Sequence, residues 1–165
     1  MEATPEELTP DAARVHGMLQ SRGASLATAE SLTGGLLGAI LTNVQGASAT
    51  YRGGVVVYAT DLKSDLLGVP EELLEERGPV DADVAAAMAS AVRDRLRADW
   101  GVALTGVAGP ERQGGKDVGT VYVAVSGPGR TTTVERLFPG SRNEIRIAAC
   151  RDALHALYDR LAAGE

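Results

Sequence analysis

The chain is poor in the residues that build cross-links and metal centres. Cys150 is its only cysteine, and His16 and His155 are its only histidines. An intrachain disulfide is excluded, and two isolated histidines with one cysteine make no metal set. A lone cysteine fits a reducing compartment, so a cytoplasmic location is expected. No apolar run is long enough to cross a bilayer, and Met1 is followed by acidic residues rather than the basic start of a leader. Aromatics are scarce, with one Trp, one Phe and four Tyr. A net charge of −6 argues against a broad nucleic-acid surface, although Arg130, Arg136, Arg142, Arg146 and Arg151 gather late in the chain. Lysine is rarer still: only Lys63 and Lys116 stand against fourteen arginines. A retained lysine in such a chain invites a reason, because a desolvated lysine can lose its proton and act as a base, whereas arginine effectively cannot.

Glycine is abundant, at 20 of 165 residues, and with alanine and valine it indicates helices packed closely on a sheet. One domain spanning residues 1–165 is expected, with a core of useful size. Thr9-Pro10 starts a helix that Gly23 stops. Ala24 to Ala29 reads as a short buried strand and Leu36 to Val44 as a helix. Gly53 to Ala59 is the second strand. Two short helices follow, Asp61 to Leu67 and Pro70 to Glu76, ended by Gly68 and Gly78. Asp81 caps a long alanine-rich helix reaching Arg97. Gly101 to Thr105 is the third strand, opening into a glycine-rich loop over residues 106–116. Val118 to Ser126 and Thr131 to Leu137 read as paired strands. Ser141 and Glu144 form a capping box for a last helix ending near Leu161. Strands that alternate with helices early and pair directly late imply an α/β protein. The expectation is a three-layer α/β/α sandwich on a mixed, mostly parallel sheet of about five or six strands.

Three loops then gather at strand C-terminal ends, where open α/β sheets bind ligands: residues 30–35, 58–63 and 105–116. In the first, Ser31 sits where a strand turns into a helix, followed by Leu32, Thr33, Gly34 and Gly35. Such a turn exposes a hydroxyl and aims free backbone N–H groups at whatever binds there. It suits an activated nucleophile beside an oxyanion hole, and it equally suits a phosphate cradle. In the second, Thr60 or Asp61 is the expected N-cap, which puts Lys63 in the first helical turn, where the helix dipole would favour a neutral amine. Arg142 and Arg146 lie one helical turn apart on one face of the last helix and are candidates to hold a phosphate; a solvated face paired with Glu144 or Asp152 is the plain alternative. Thr105, Gly106 and Gly109 allow close backbone approach to a ligand, and the glycines may equally serve the turn. Ser48 is either a polar site residue or a cap. Glu30 either orients a site group or caps a neighbouring backbone.

Taken together, Thr28 to Gly35 (Thr-Ala-Glu-Ser-Leu-Thr-Gly-Gly), Tyr58 to Lys63 (Tyr-Ala-Thr-Asp-Leu-Lys), Thr105 to Pro110 (Thr-Gly-Val-Ala-Gly-Pro), Val118 to Val121 (Val-Gly-Thr-Val) and Ser141 to Arg146 (Ser-Arg-Asn-Glu-Ile-Arg) resemble the CinA C-terminal domain family over residues 10–160. Its enzymes are nicotinamide-nucleotide amidohydrolases. The resemblance implies hydrolysis of the carboxamide of nicotinamide mononucleotide to nicotinate mononucleotide and ammonia, with no metal and no cofactor. It implies a nucleophile at Ser31 supported by Lys63 and Tyr58, and the substrate contacts expected are Thr33, Gly34, Gly35, Ser48, Thr105, Gly106, Gly109, Arg142 and Arg146. The expected partner is a small-molecule nucleotide, with no nucleic acid and no membrane, and a homo-oligomer, a dimer favoured. Family members often follow a molybdopterin-binding-like domain, which these 165 residues do not contain. They usually carry a glycine-rich run and a Lys-Pro before Val-Gly-Thr, where this chain has Glu111-Arg112-Gln113-Gly114-Gly115-Lys116-Asp117. Two other readings remain: a nucleotide sensor using the same turn without turnover, and an interaction domain for competence or damage-response partners. A phosphate cradle needs no titratable amine beside it, so Ser31 with Tyr58 and Lys63 favours catalysis.

Overall fold

The computed structural model describes residues 3–165; Met1 and Glu2, where a leader would begin, lie outside them. A five-stranded sheet is formed by β1 (Leu26–Glu30), β2 (Tyr51–Val56), β3 (Trp100–Gly106), β4 (Thr120–Gly127) and β5 (Arg130–Leu137), in the order β2-β1-β3-β4-β5. β1 pairs in parallel with β2 and β3, while β3–β4 and β4–β5 are antiparallel, so every strand but β4 points the same way. Parallel neighbours need crossovers, and the helices supply them. These are α1 (Thr9–Ser21), α2 (Leu36–Thr42), α3 (Thr60–Asp65), α4 (Glu71–Arg77), α5 (Ala82–Arg95) and α6 (Arg142–Ala162).

The layers follow from the alternation of side chains along the strands. Leu26, Val102, Leu104, Val121, Val123 and Val125 face the core under α1, α2 and α6, with Val15, Leu19, Ile145 and Leu157. Ala27, Ala29, Ala103, Tyr122 and Ala124 face the opposite core, filled by Val84, Met88 and Val92 of α5 and Leu74 of α4. The small residues on this second face let the alanine-rich α5 lie close to the sheet. Thus the three-layer α/β/α arrangement expected from the sequence is the one found.

Two caps form as the sequence indicates. The Asp81 carboxylate accepts from the N–H groups of Asp83 and Val84, and Ser141 and Glu144 make the full capping box. The cap expected at α3 does not form. Its N-cap position is Ala59, with no side-chain bond, and Thr60 and Asp61 lie inside the helix. The strand expected at 53–59 begins and ends earlier, at Tyr51–Val56, because residues beyond Val56 leave the ladder to start α3. Short 3₁₀ turns at Pro5–Leu8 and Ala47–Ala49 are additional.

From β1 the chain crosses by α2 to β2 on one side, and from β2 by α5 to β3 on the other. β1 is therefore the point where the winding reverses, and its C-terminal end opens a crevice between the outgoing loops. Ser31 is the first residue beyond that end.

Candidate active site

The register of the parallel strands builds the site. Glu30 pairs with Val56 on one side and Leu104 on the other, so β1 and β2 end level while β3 runs on to Gly106. Val57 N–H donates to the Glu30 carbonyl at 2.8 Å, and Ser31 N–H donates to the Leu104 carbonyl at 3.1 Å. Ser31 is thereby held between the end of β2 and Leu104 near the end of β3. The chain after β2 folds straight into α3, which carries Lys63 back over the sheet edge.

Lys63 is only 1% exposed, among the largest fully buried side chains of the protein. Its Nζ donates to Ser31 Oγ at 2.9 Å, to the Val57 carbonyl at 2.7 Å and to the Tyr58 carbonyl at 3.4 Å. Burial pushes its pKa down to about 8. The expectation from the sequence joined burial to the helix dipole; burial is the cause found, and the dipole is not. Lys63 lies in the last turn of a six-residue helix whose first turn carries Asp61, so the positive dipole end does not face it. Among the described residues no carboxylate contacts the amine. In its neutral form Nζ can give its two protons to the two carbonyls and turn its lone pair to the Ser31 hydroxyl. That is the geometry a general base for this serine requires.

Around the pair lies a cavity of about 110 Å³, lined among others by Ser31, Tyr58, Lys63, Thr105, Glu111 and Arg142. The exposed Tyr58 ring stands at its rim. The Tyr58 hydroxyl accepts from Arg142 Nη2 at 3.0 Å, while its backbone carbonyl, not its hydroxyl, meets Lys63. A proton relay from Lys63 through the Tyr58 hydroxyl therefore lacks the hydrogen bond it would run along. Arg142 also donates from Nη1 to the Gly109 carbonyl. Thr105 lines the cavity, but its hydroxyl donates to the Pro79 carbonyl at 2.6 Å and so fixes the opposite wall.

Several expected contacts are placed differently. Ser48 is exposed in the 3₁₀ turn before β2 and lines a separate surface pocket with Gln45 and Tyr51, so it is not part of this site. Thr33, Gly34 and Gly35 shape the turn under the nucleophile and do not line the cavity. Gly34 and Gly35 have φ of 60° and 101°, the left-handed conformations this sharp reversal requires. Gly106 and Gly109 do line the cavity, yet their lack of a side chain serves the protein itself. A Cβ on Gly106 would lie 2.6 Å from the Thr120 carbonyl oxygen, and one on Gly109 2.6 Å from Val118 Cγ1. Arg146 does not line the cavity; its guanidinium donates to the Leu32 and Thr33 carbonyls at 3.1 and 2.9 Å. Glu30, open between two roles in the sequence, is a helix cap: its carboxylate accepts from Leu37 and Gly38 N–H at 2.8 and 3.0 Å. The cavity residues outside the segments that sequence reasoning placed there are Pro79 and Val80. Neither carries a local motif, and both reach the site only through the packing of the loop before α5. Among the described residues no cluster of His, Cys, Asp or Glu could hold a metal, and no helix is long and apolar enough to cross a membrane.

Known proteins share this arrangement of elements. The CinA C-terminal domain matches residues 9–161 of the chain. A CinA-like protein of Frankia casuarinae is 51% identical over 150 residues, covering 91% of this chain and 34% of that protein. A putative competence-damage inducible protein of Halothermothrix orenii is 44% identical over 145 residues, covering 86% and 35%. The chain thus spans about a third of the length of the curated relatives it matches. Crystal structures match it nearly end to end. A competence/damage inducible protein of Agrobacterium tumefaciens superposes with a TM-score of 0.90 at 38% identity, covering 98% of this chain and 99% of that one. One from Klebsiella pneumoniae gives 0.90 at 35% identity, covering 99% and 100%.

Proposed function

We propose that this chain, which belongs to the CinA C-terminal domain family, is a serine amidohydrolase that deamidates nicotinamide mononucleotide. The observation that carries the reading is the buried Lys63 amine, 2.9 Å from Ser31 Oγ, with burial pushing its pKa down to about 8. At pH 7 about a tenth of such a group is neutral and able to accept a proton. A serine that merely capped a helix would gain nothing from a desolvated amine at that distance.

In the proposed reaction Ser31 Oγ attacks the carboxamide carbon as its proton passes to Lys63 Nζ. The tetrahedral intermediate collapses with cleavage of the C–N bond, and Lys63 returns that proton to the departing nitrogen, releasing ammonia. Water then attacks the acyl-Ser31 ester and gives a proton to Lys63. Collapse breaks the ester bond and returns that proton to Ser31, leaving nicotinate mononucleotide as the carboxylic acid, which ionises at neutral pH. The net reaction consumes one water. A cavity of about 110 Å³ suits the pyridine carboxamide alone, being smaller than the roughly 300 Å³ of an ordinary whole-ligand pocket. Ribose and phosphate then lie over the mouth. There Tyr58 offers an aromatic face to the cationic ring, and Arg142 offers its guanidinium to the phosphate.

Ammonia release and nicotinate mononucleotide formation by the purified chain test the reading directly, and no turnover above that of Ser31→Ala would overturn it. Arg142→Ala is expected to raise KM for the mononucleotide by about tenfold or more, the scale of a lost charge-assisted bond. Activity on nicotinamide riboside, which has no phosphate, should change little. An equal loss on both substrates would make Arg142 a loop brace through Gly109 and Tyr58.

A further inference from the structure

The two arginines of α6 differ in what they hold. Arg142 is exposed at the cavity mouth, whereas Arg146 is half-buried and donates its fork to the carbonyls of the two residues that follow the nucleophile. A guanidinium that binds the phosphate must reach the cavity mouth, which Arg142 lines and Arg146 does not. The Ser31–Leu32 and Thr33–Gly34 peptides are trans, since among the described residues the only cis bond is Gly109–Pro110. In a planar trans peptide the N–H points opposite to the C=O. Arg146 holds the Thr33 carbonyl, and the N–H of that same peptide donates to the Ser31 carbonyl, so the Leu32 N–H is turned away from that bond. The N–H groups of Leu32 and Thr33 donate to no acceptor among the described residues, although both residues are buried. Buried backbone donors are almost always paired, so two orphans directly after Ser31 are an unusual feature. The rest of the turn is tied down on both sides. Gly34 N–H donates to the Ser31 carbonyl at 3.1 Å. The Glu30 carboxylate anchors the start of α2 at Leu37 and Gly38.

We propose that Arg146 is a positioning residue: by holding the Leu32 and Thr33 carbonyls it fixes the turn so that the unpaired N–H of Leu32, a residue that lines the cavity, faces the oxyanion formed when Ser31 attacks. The inference rests on the serine acyl-transfer reading above, and assigns to α6 the orientation of the oxyanion donor. It replaces the phosphate role expected of Arg146. The effect is on the transition state: the donor meets full negative charge only in the tetrahedral species, so its loss lowers kcat more than it raises KM.

A test that does not depend on the substrate uses a fluorophosphonate. Ser31 Oγ forms a bond to phosphorus, fluoride leaves, and the serine proton passes to Lys63, giving a tetrahedral adduct with its oxygen in the proposed donor's place. The rate is followed by intact mass, with Ser31 located by peptide mapping. Arg146→Ala should slow labelling by about 10- to 100-fold, on the scale of one misplaced oxyanion donor. Guanidinium ion at low concentration should restore part of the rate. Arg146→Lys, which can serve one carbonyl at a time, should fall between, and it keeps the test readable if the alanine variant does not fold. With nicotinamide mononucleotide the same variants should lose kcat by a similar factor while KM moves less than about twofold. Unchanged labelling in a folded Arg146 variant would overturn the proposal, as would preserved kcat with a raised KM, which marks a phosphate ligand. Failure of the wild-type protein to label at Ser31 would also overturn it. If labelling depends on Arg146 while the mononucleotide is not hydrolysed, the positioning role stands and the substrate assignment fails.

Discussion

Ser31→Ala is expected to lower kcat on nicotinamide mononucleotide by about 10⁴-fold or more, the scale seen when a hydrolase loses its nucleophile. The fold should persist. The backbone bonds that place residue 31, its N–H to Leu104 and its carbonyl from Gly34, do not involve the hydroxyl. The side chain's one hydrogen bond is that from Lys63, which keeps the Val57 and Tyr58 carbonyls as acceptors. Nucleotide affinity, measured by calorimetry on the inactive variant, should stay within a few-fold of the wild-type KM, because the proposed anchors are Arg142 and Tyr58. Removing the attacking group while leaving binding intact is the signature of chemistry in the transition state. Near-normal turnover in Ser31→Ala would sink the serine mechanism.

Lys63 should show the second large effect, in two independent readouts. In kinetics, the base must be neutral, so kcat/KM should rise about tenfold per pH unit below about 8 and level off above it. Lys63→Met should remove that limb and most of kcat. Lys63→Arg, which keeps the charge but cannot release it, should be nearly as inactive. An unchanged acidic limb in Lys63→Met would assign it to another group.

In stability, the cost of the buried charge sets the sign. The folded pKa of about 8 lies below the ordinary 10.5. Below about 8 both the folded and unfolded chains hold the proton, and the full cost of burying an ammonium is present. Between about 8 and 10.5 the unfolded chain still holds a proton that the folded chain has released, so stability rises with pH across that window. Every pH unit separating the folded from the unfolded pKa is worth about 1.4 kcal/mol. Lys63→Met at pH 7 therefore relieves a penalty of roughly 3 kcal/mol and forfeits hydrogen bonds of about 1 kcal/mol each. With three such bonds lost the two contributions nearly cancel, and pH 7 is where the variant has its largest advantage relative to wild type. That advantage should shrink as pH approaches 10.5. Urea unfolding at pH 7 and pH 10 measures this, and a variant less stable at pH 7 than at pH 10, relative to wild type, contradicts it.

Particular elements show how much was legible in the residues alone. Thr-Gly-Gly after a short apolar run marked the strand-to-helix turn at Ser31, because positive φ at two consecutive positions leaves little choice but glycine. The capping box at Ser141 and the Asp81 cap were readable because such caps are local, set by residues within one turn of each other. The cap at α3 was misread for the same reason: Asp61 has the right chemistry for a cap, but the chain leaving β2 puts Ala59 at that position. Ser48 had plausible chemistry as well, yet it sits in a turn before the edge strand and opens on a different pocket.

By itself the sequence determined the layers and the winding. Alternating strands and helices followed by a direct strand pair, with small residues on one sheet face, leave few arrangements that bury both apolar faces. It also marked Ser31 and Lys63, through one glycine-rich turn and one scarce residue type. Only the tertiary structure decided what those residues experience. Lys63 reaches Ser31, 32 positions away, because β1 and β2 are parallel and end level, and its pKa falls because that meeting point is sealed from water. The division between Arg142 and Arg146 is likewise tertiary. Both share a helix face and a spacing, but one turn along α6 separates an exposed cavity mouth from the underside of the nucleophile turn. Desolvation and the occupancy of a guanidinium depend on neighbours from distant parts of the chain, and no local pattern encodes them.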